Sequence, residues 1–178
     1  MSELASEAVT QRVPLDTEIE LPTAADTEAL GERLADGLGA GDLVVLTGPL
    51  GAGKTVLVRG LARGLGVTGA VTSPTFVIAR VHPALADGPP LVHVDAYRVG
   101  DALEVADLDL AASVDDAVTL VEWGDGKVEA LAPSYLVVRL ERGSDDGDRR
   151  RVGVEGHGPR WTAAALDELW AAVATDAA

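Results

Sequence analysis

The sequence predicts an α/β protein in which helices flank both faces of a mixed β-sheet, making three layers. Continuous apolar runs at 43–46, 91–94 and 118–121 are typical of strands that are buried on both faces of a parallel sheet. Residues 135–141 and 150–155 flank a turn-rich segment, which predicts an antiparallel hairpin late in the chain. Strands that alternate with helices early and a hairpin late favour a mixed sheet.

The N-terminal region predicts a tail followed by the first strand. Residues 1–12 are polar and are expected to be a disordered tail. The remaining residues, 13–178, are expected to form one domain, because a chain of this length is usually a single domain. Apolar and polar residues alternate over 13–21, and this period predicts a strand with one buried face.

The first helix has a recognisable start. Thr23, with Asp26 three residues later, resembles a capping box that opens a helix. The apolar stripe of this helix continues at Leu30, Leu34 and Leu38. Gly39 and Gly41 predict its end, because glycine is typical of the positions just after a helix.

Later segments predict further elements. After the glycine-rich segment, an apolar stripe predicts a helix that stops at Gly66. Residues 76–81 and 91–94 predict a hairpin, and the acidic stretch 101–116 is expected to be helical around 102–108. A C-terminal amphipathic helix is predicted from the spacing of Trp161, Leu166, Leu169, Trp170 and Val173.

Composition excludes several classes of function. The chain has no cysteine, so it has neither disulfides nor thiolate metal sites. Its net charge of −15 disfavours direct binding of nucleic-acid phosphate, which depends on lysine and arginine. The polar N-terminus lacks the apolar core of a signal peptide, and no apolar run approaches the roughly 20 residues that span a bilayer. We therefore expect a cytoplasmic protein that does not bind membranes.

Residues 48–55 carry the strongest motif, GPLGAGKT, which fits the phosphate-binding P-loop pattern G-x-x-x-x-G-K-[ST] in full. The glycines let successive backbone N–H groups point at phosphate oxygens. Lys54 is expected to contact the β- and γ-phosphates, and the Thr55 hydroxyl is expected to bind Mg²⁺. Lys54 and Lys127 are the only lysines in a chain that otherwise uses arginine, which favours a specific role for a compact ammonium. The fold is thus predicted to be P-loop NTPase-like.

Two acids are candidates for the rest of the site. Asp95 and Glu122 each end an apolar run, where open α/β sheets place their ligands. A P-loop enzyme needs one acid near Mg²⁺ and an acid or amide that positions the nucleophile. Spacing alone does not assign these two roles. The chain has no asparagine, so it lacks the Asn-Lys-x-Asp motif that reads guanine, and ATP is the expected nucleotide.

Other features carry weaker interpretations. Ser73 lies beside a proline, either in a loop near the phosphates or in an ordinary turn. Arg98 is interpreted as a surface ion-pair residue, with charge stabilisation at the phosphates as the alternative. Trp123 is interpreted as a core residue. The basic cluster 149–151 lies in the predicted hairpin and is interpreted as solvated.

The motifs together resemble the TsaE family, the bacterial ATPases that assist threonylcarbamoyladenosine formation in tRNA. The resemblance depends on GPLGAGKT, then SPTF at 73–76, HVDAYR at 93–98 and VEW at 121–123, in this order and spacing. It extends over about residues 21–154.

The resemblance implies a role for each matching position. It implies that Leu50, Gly51, Ala52, Gly53, Lys54 and Thr55 wrap the phosphates. Thr55 and Glu122 are implied as Mg²⁺ ligands, and Asp95 as a catalytic residue near the γ-phosphate that positions water or acts as a switch. Thr23 and the hairpin around Gly147 are implied to contact outer parts of the nucleotide. The implied partners are the two paralogous subunits that transfer the threonylcarbamoyl group, with tRNA contacted only indirectly.

Two other functions remain open from the sequence. A small-molecule kinase would use the same loop but would need an acceptor pocket and an arginine-rich lid. A nucleotide-dependent interaction module would bind ATP without hydrolysing it. ATP turnover measured with partners and with candidate acceptors separates these readings.

Overall fold

The computed structural model describes residues 18–74, 79–99, 114–143 and 147–174, which form one seven-stranded sheet with helices packed against it. The strands are β1 (Ile19–Leu21), β2 (Leu43–Thr47), β3 (Ala79–His82), β4 (Leu91–Asp95), β5 (Val118–Glu122), β6 (Tyr135–Arg142) and β7 (Arg150–His157). The helices are α1 (Ala24–Ala35), α2 (Lys54–Gly64) and α3 (Ala163–Ala174), with a 3-10 helix at Glu129–Leu131. Within these ranges no helix is both long and apolar enough to cross a bilayer.

The sheet is mixed, with its parallel strands in the middle. The strand order is β1-β7-β6-β2-β5-β4-β3. Four adjacent strands are parallel to one another: β6, β2, β5 and β4. The outer pairings are antiparallel, namely β1 with β7, β7 with β6, and β3 with β4. Both predicted hairpins are confirmed, as β6–β7 and β3–β4, although residues 76–78 of the second lie outside the described ranges. The predicted α/β class is therefore confirmed.

The core has one cluster on each face of the sheet. α1, α2 and α3 pack on the face formed by residues such as Val44, Leu46 and Leu120. Val45 and Val121 face the opposite side, where segments outside the regular elements cover them; these include Ala96, Val99 and Val128. The helix predicted around 102–108 lies outside the described residues, as do the predicted tail and the first part of the strand predicted over 13–21.

Two helix boundaries differ from the sequence prediction. The capping box is confirmed, since the Thr23 and Asp26 side chains each accept the other's backbone N–H. The helix, however, ends at Ala35 rather than at Gly39 and Gly41, so Leu38 lies beyond it. The Gly39 N–H donates to the Asp42 carboxylate at 2.8 Å, which makes a turn instead of another helical bond. Similarly, Trp161 precedes α3, whose first turn is closed by Thr162.

Glycines let α1 and α2 approach closely. A β-carbon on Gly31 of α1 would collide with the Leu57 carbonyl of α2. A β-carbon on Gly60 of α2 would collide with the Glu28 carbonyl of α1. Because α2 begins at Lys54, this contact determines where the loop before the helix lies.

Gly60→Ala is expected to destabilise the protein despite the higher helix propensity of alanine. Alanine favours a helix over glycine by about 1 kcal/mol, but overpacking against rigid backbone costs about 1–3 kcal/mol or more. We expect the free energy of unfolding in urea to fall by about 1 kcal/mol or more. Gly39→Ala is the control, because a β-carbon there has no neighbour within 4 Å. Equal stability of Gly60→Ala and wild type would contradict the close contact.

Candidate functional site

The glycine-rich loop connects the end of β2 to the start of α2. Gly51 and Gly53 have positive φ angles of 74° and 101°, a region that residues with side chains rarely adopt. The Ala52 N–H donates to the Pro49 carbonyl at 3.1 Å and closes a tight turn. Lys54 is the first residue of α2, so the positive end of the helix dipole faces the loop. This backbone has the form that binding of an anion requires.

A cavity of about 560 Å³ opens beside this loop and is lined by eight of the predicted site residues, four of which are expected to act through their side chains. These are Lys54, Thr55, Asp95 and Glu122, from α2, β4 and β5. The volume is within the range usual for small-molecule sites. The rest of its lining is Leu50, Gly51, Ala52, Gly53, Val56, Ser73, Tyr97, Trp123 and Arg150.

The Lys54 ammonium is buried at the floor of the loop. Lys54 is only 5% exposed. Its Nζ donates to the carbonyls of Gly48 at 2.7 Å and Pro49 at 3.0 Å. Burial lowers the pKa of Lys54, while the charges of Glu122 and Asp95 act in the opposite direction. The two carboxylates therefore help to keep the ammonium protonated.

Thr55 and Glu122 present oxygen atoms side by side. Thr55 Oγ1 lies 3.2 Å from Oε1 and 3.4 Å from Oε2 of the Glu122 carboxylate. A hydroxyl and a carboxylate are ligands that Mg²⁺ accepts, usually together with phosphate oxygens of a substrate. The described residues contain no cluster of three or more histidine, aspartate or glutamate side chains that would hold a metal unaided. The pair therefore fits a cation that is shared with a nucleotide.

Asp95 ends β4 next to Glu122. The parallel pairing of β4 with β5 sets Asp95 opposite Glu122. Asp95 Oδ2 accepts a hydrogen bond from the Ser73 hydroxyl at 3.1 Å, and Oδ1 accepts from the Tyr97 N–H at 2.9 Å. These bonds orient the carboxylate at the cavity. Ser73 thus lies at the site rather than in a remote turn.

Trp123 belongs to the site and not simply to the core. It is half-buried, and its φ of 61° is the one positive φ of a non-glycine residue in the described part of the chain. Lys54 Nζ lies 3.8 Å from the centroid of its ring, which is a cation–π contact. Tyr97 packs edge-on against the same ring at 5.2 Å between centroids.

Arg150 was missed by sequence reasoning, which interpreted 149–151 as a solvated cluster. Its guanidinium donates to the carbonyls of Ala52 at 3.0 Å and Gly51 at 3.4 Å, and also to Gly147 at 3.1 Å. In a trans peptide the N–H points away from the C=O. The bond to the Ala52 carbonyl therefore orients the N–H of Gly53 away from Arg150. Arg150 ties the loop to the β6–β7 turn.

Three predicted residues lie outside the cavity lining. Thr23 caps α1 and exchanges hydrogen bonds with Asp26. Gly147 lies in the β6–β7 turn, where its carbonyl accepts from Arg150. Arg98 follows the exposed Tyr97 and is itself exposed. The geometry thus joins Lys54 to the two acids, while Thr23 and Gly147 stay predictions.

The model of the family described as threonylcarbamoyl adenosine biosynthesis protein TsaE matches residues 21–152, a span that includes the loop and both acids. The chain belongs to the TsaE family. The Streptomyces coelicolor tRNA threonylcarbamoyladenosine biosynthesis protein TsaE is 60% identical to it over 143 residues, which cover 79% of this chain and 97% of that protein. The Bacillus subtilis protein of the same name is 39% identical over 122 residues, covering 68% of this chain and 75% of that protein.

A solved structure supports the same conclusion about the fold. The crystal structure of Bacillus subtilis YdiB resembles this TsaE chain with a TM-score of 0.67 at 28% identity. The match covers 90% of this chain and 95% of YdiB. The predicted P-loop NTPase-like fold is therefore confirmed.

Arg150→Gln in this TsaE chain is expected to weaken nucleotide binding, because the loop loses the cation that orients the Ala52 peptide. Hydrogen bonds from charged donors contribute about 1.5 kcal/mol or more, which corresponds to about tenfold in Kd. Calorimetric titration with ADP measures the change. Arg149→Gln is the matched control, since Arg149 is exposed and its side chain pairs with Glu20 at 3.7 Å. Equal affinities of the two variants would exclude a role for Arg150 in the loop.

Proposed function

We propose that this TsaE protein binds ATP with Mg²⁺ and hydrolyses it to assist threonylcarbamoyladenosine formation in tRNA. The observation that carries the proposal is the single cavity that joins Lys54, Thr55, Asp95 and Glu122 at a phosphate-binding loop. The family to which the chain belongs is named for this tRNA modification.

The phosphate groups are bound by the backbone of residues 50–55 and by Lys54. The ammonium already lies within the loop, where it donates to the Gly48 and Pro49 carbonyls. Phosphate oxygens are stronger acceptors for an ammonium than neutral carbonyls are, because they carry charge. Lys54 therefore exchanges these partners for the β- and γ-phosphates when the nucleotide binds.

Thr55 and Glu122 hold the cation in this proposal. When bound, Mg²⁺ supplies positive charge that offsets the charge on the phosphoryl oxygens during transfer. Glu122 is only 3% exposed, and its carboxylate faces the Thr55 hydroxyl at the start of α2. These two side chains would hold the cation at the start of α2, next to the loop that binds the phosphates.

Asp95 positions the attacking water in this proposal. Its carboxylate is oriented by Ser73 and by the backbone of Tyr97, at the edge of the cavity next to Glu122. A carboxylate held in this way accepts a hydrogen bond from water and directs an oxygen lone pair at the γ-phosphorus. Adenine is the proposed base, and Thr23 and Gly147 are proposed to contact outer parts of the nucleotide.

The proposed partners are the two paralogous subunits that transfer the threonylcarbamoyl group, which ATP turnover resets. The net charge of −15 supports this division of labour, because so acidic a chain binds RNA phosphate poorly and leaves the tRNA to its partners. The proposed location is the cytoplasm, with no contact to membranes.

Two exposed apolar side chains support partner contact at the mouth of the cavity. Leu50 is 83% exposed and Tyr97 is 62% exposed, and both line the same cavity. Exposed apolar side chains at the mouth of one cavity mark a candidate interaction surface. A partner that covers this rim contacts the part of the molecule where the phosphates lie.

A small-molecule kinase is a second candidate, favoured by a second cavity of about 420 Å³ that shares Trp123 with the first. Its charged lining residues are Asp125, Arg139 and Glu141. A kinase transfers phosphate to an acceptor, whereas the proposed ATPase transfers it to water. In the presence of candidate acceptors, release of inorganic phosphate in equal amount to ADP, with no phosphorylated acceptor, would exclude the kinase.

The roles of the two acids predict different defects. Glu122→Gln is expected to abolish most of the gain in nucleotide affinity that Mg²⁺ provides, because a neutral amide replaces a charged ligand. Asp95→Asn is expected to keep that gain and to lower ATP turnover by about 10²-fold or more, since the carboxylate that positions the attacking water is lost. Titrations with and without Mg²⁺ and a phosphate-release assay measure both effects. Lys54→Ala is the reference for lost phosphate binding, and the reverse pattern for the acids would exchange their roles.

The rim predicts a defect that is limited to partner association. Leu50→Ser is expected to weaken binding to the two transfer subunits about tenfold, because burial of a leucine side chain contributes about 1.5–3 kcal/mol. ADP affinity should stay within about twofold, since the loop's contribution comes from its backbone. Leu85→Ser is the matched control, because Leu85 is 73% exposed but does not line the cavity. Equal association of both variants with the subunits would exclude the rim as the contact surface.

A further inference from the structure

His93 lies beside Glu122, the proposed metal ligand, but does not line the cavity. It belongs to β4, two residues before Asp95, and it is completely buried. Its Nε2 lies 2.8 Å from Glu122 Oε1. Because a carboxylate oxygen only accepts, Nε2 carries the hydrogen and donates it.

The bond restricts a side chain that otherwise has considerable freedom. A glutamate side chain loses rotamer freedom, and therefore entropy, when it is held in one conformation. Oε1 of Glu122 receives both the His93 bond and the shorter contact to Thr55, whereas Oε2 has only the 3.4 Å contact to Thr55 among the described residues. The histidine thus fixes one oxygen and leaves lone pairs on the other.

The position of His93 is otherwise suited to an aliphatic residue. Leu91 on the same face of β4 and Leu120 opposite His93 on β5 are both fully buried. Among the described residues, Nδ1 of His93 has no hydrogen-bond partner, and an unpaired buried polar atom is destabilising. An apolar side chain would avoid this cost, so the bond to Glu122 is the gain that a histidine brings.

We propose that His93 is a positioning residue that holds the Glu122 carboxylate for the divalent cation bound with the nucleotide. The inference rests on the proposed function through the metal role of Glu122. Removal of a side chain that hydrogen-bonds to a metal ligand and orients it typically weakens metal binding by about 10–100-fold. A purely structural role for His93 would instead change stability and would affect nucleotide binding equally with and without Mg²⁺.

The test compares two amide substitutions at His93. The amide nitrogen of glutamine reaches about as far as Nε2, whereas that of asparagine reaches only about as far as Nδ1. The measured quantity is the ratio of the Kd values for ADP in EDTA and in MgCl₂. We expect His93→Asn to lower this ratio about tenfold or more and His93→Gln to restore most of it.

His82 provides a matched control. It is also buried, its ring lies 6.4 Å from that of His93, and its Nδ1 lies 3.2 Å from the Thr68 carbonyl rather than near Glu122. His82→Asn is expected to leave the ratio unchanged, even if it lowers Tm. An equal loss of ratio in His82→Asn and His93→Asn would overturn the proposal, because the effect would then come from packing.

Glu122→Gln separates failure of this inference from failure of the proposed function. If Glu122→Gln keeps the wild-type ratio, the metal role of Glu122 is wrong, and the proposal for His93 fails with it. If Glu122→Gln lowers the ratio and His93→Asn does not, only the role of His93 is wrong. In the Glu122→Gln background, a further change at His93 is expected to leave the ratio as it is.

A measurement on the unaltered protein covers the case in which the His93 variants do not fold. In ¹⁵N-labelled wild-type protein, the Nε2 resonance of His93 is expected to shift when ADP and MgCl₂ are added, and to shift less when ADP is added with EDTA. Equal shifts under both conditions would overturn the proposal.

Discussion

Three charged side chains, Lys54, Asp95 and Glu122, are buried together at one edge of the sheet, with 5%, 4% and 3% of their residue surfaces exposed. A charge transferred from water into protein is costly unless an opposite charge or hydrogen bonds compensate it. Here an ammonium lies near two carboxylates, so this set of three carries one negative charge in excess. In the proposed function, a divalent cation held by Thr55 and Glu122 would offset this negative charge. The two carboxylates also oppose the effect of burial on the pKa of Lys54 and so favour its charged form.

The sheet brings these groups together through the register of its parallel strands. Glu122 of β5 pairs with Leu46 of β2 on one side and with Asp95 of β4 on the other. The phosphate-binding loop begins at Gly48, two residues after Leu46, and therefore starts close to both acids. This register matters for the site, because a slip of β5 by one residue would turn each of its side chains to the other face and would move Glu122 away from Thr55. α2 then sets Thr55 against Glu122, and its close contact with α1 depends on Gly60.

Patterns that are local in sequence predicted much of this structure. The apolar runs gave the parallel strands their positions, and Thr23 with Asp26 predicted the start of α1. Contacts between distant residues could not be predicted: Arg150 is 98 residues from Ala52, and their hydrogen bond requires the pairing of β6 with both β2 and β7. The predicted end of α1 was wrong because it too depends on a contact between distant residues. Asp42 binds the Gly39 N–H and also pairs with Arg160, far along the chain.

Trp123 links the buried part of the site to the surface, and its backbone shows that this position is costly to maintain. A non-glycine residue in the left-handed region costs about 1–3 kcal/mol and persists only when its surroundings compensate it. Here the ring contacts the Lys54 ammonium on one side and the exposed Tyr97 on another. If phosphates draw the ammonium away, the ring loses its cation–π contact beneath Tyr97. The ring of this one strained residue therefore connects the buried Lys54 ammonium to the exposed Tyr97 side chain at the mouth of the cavity.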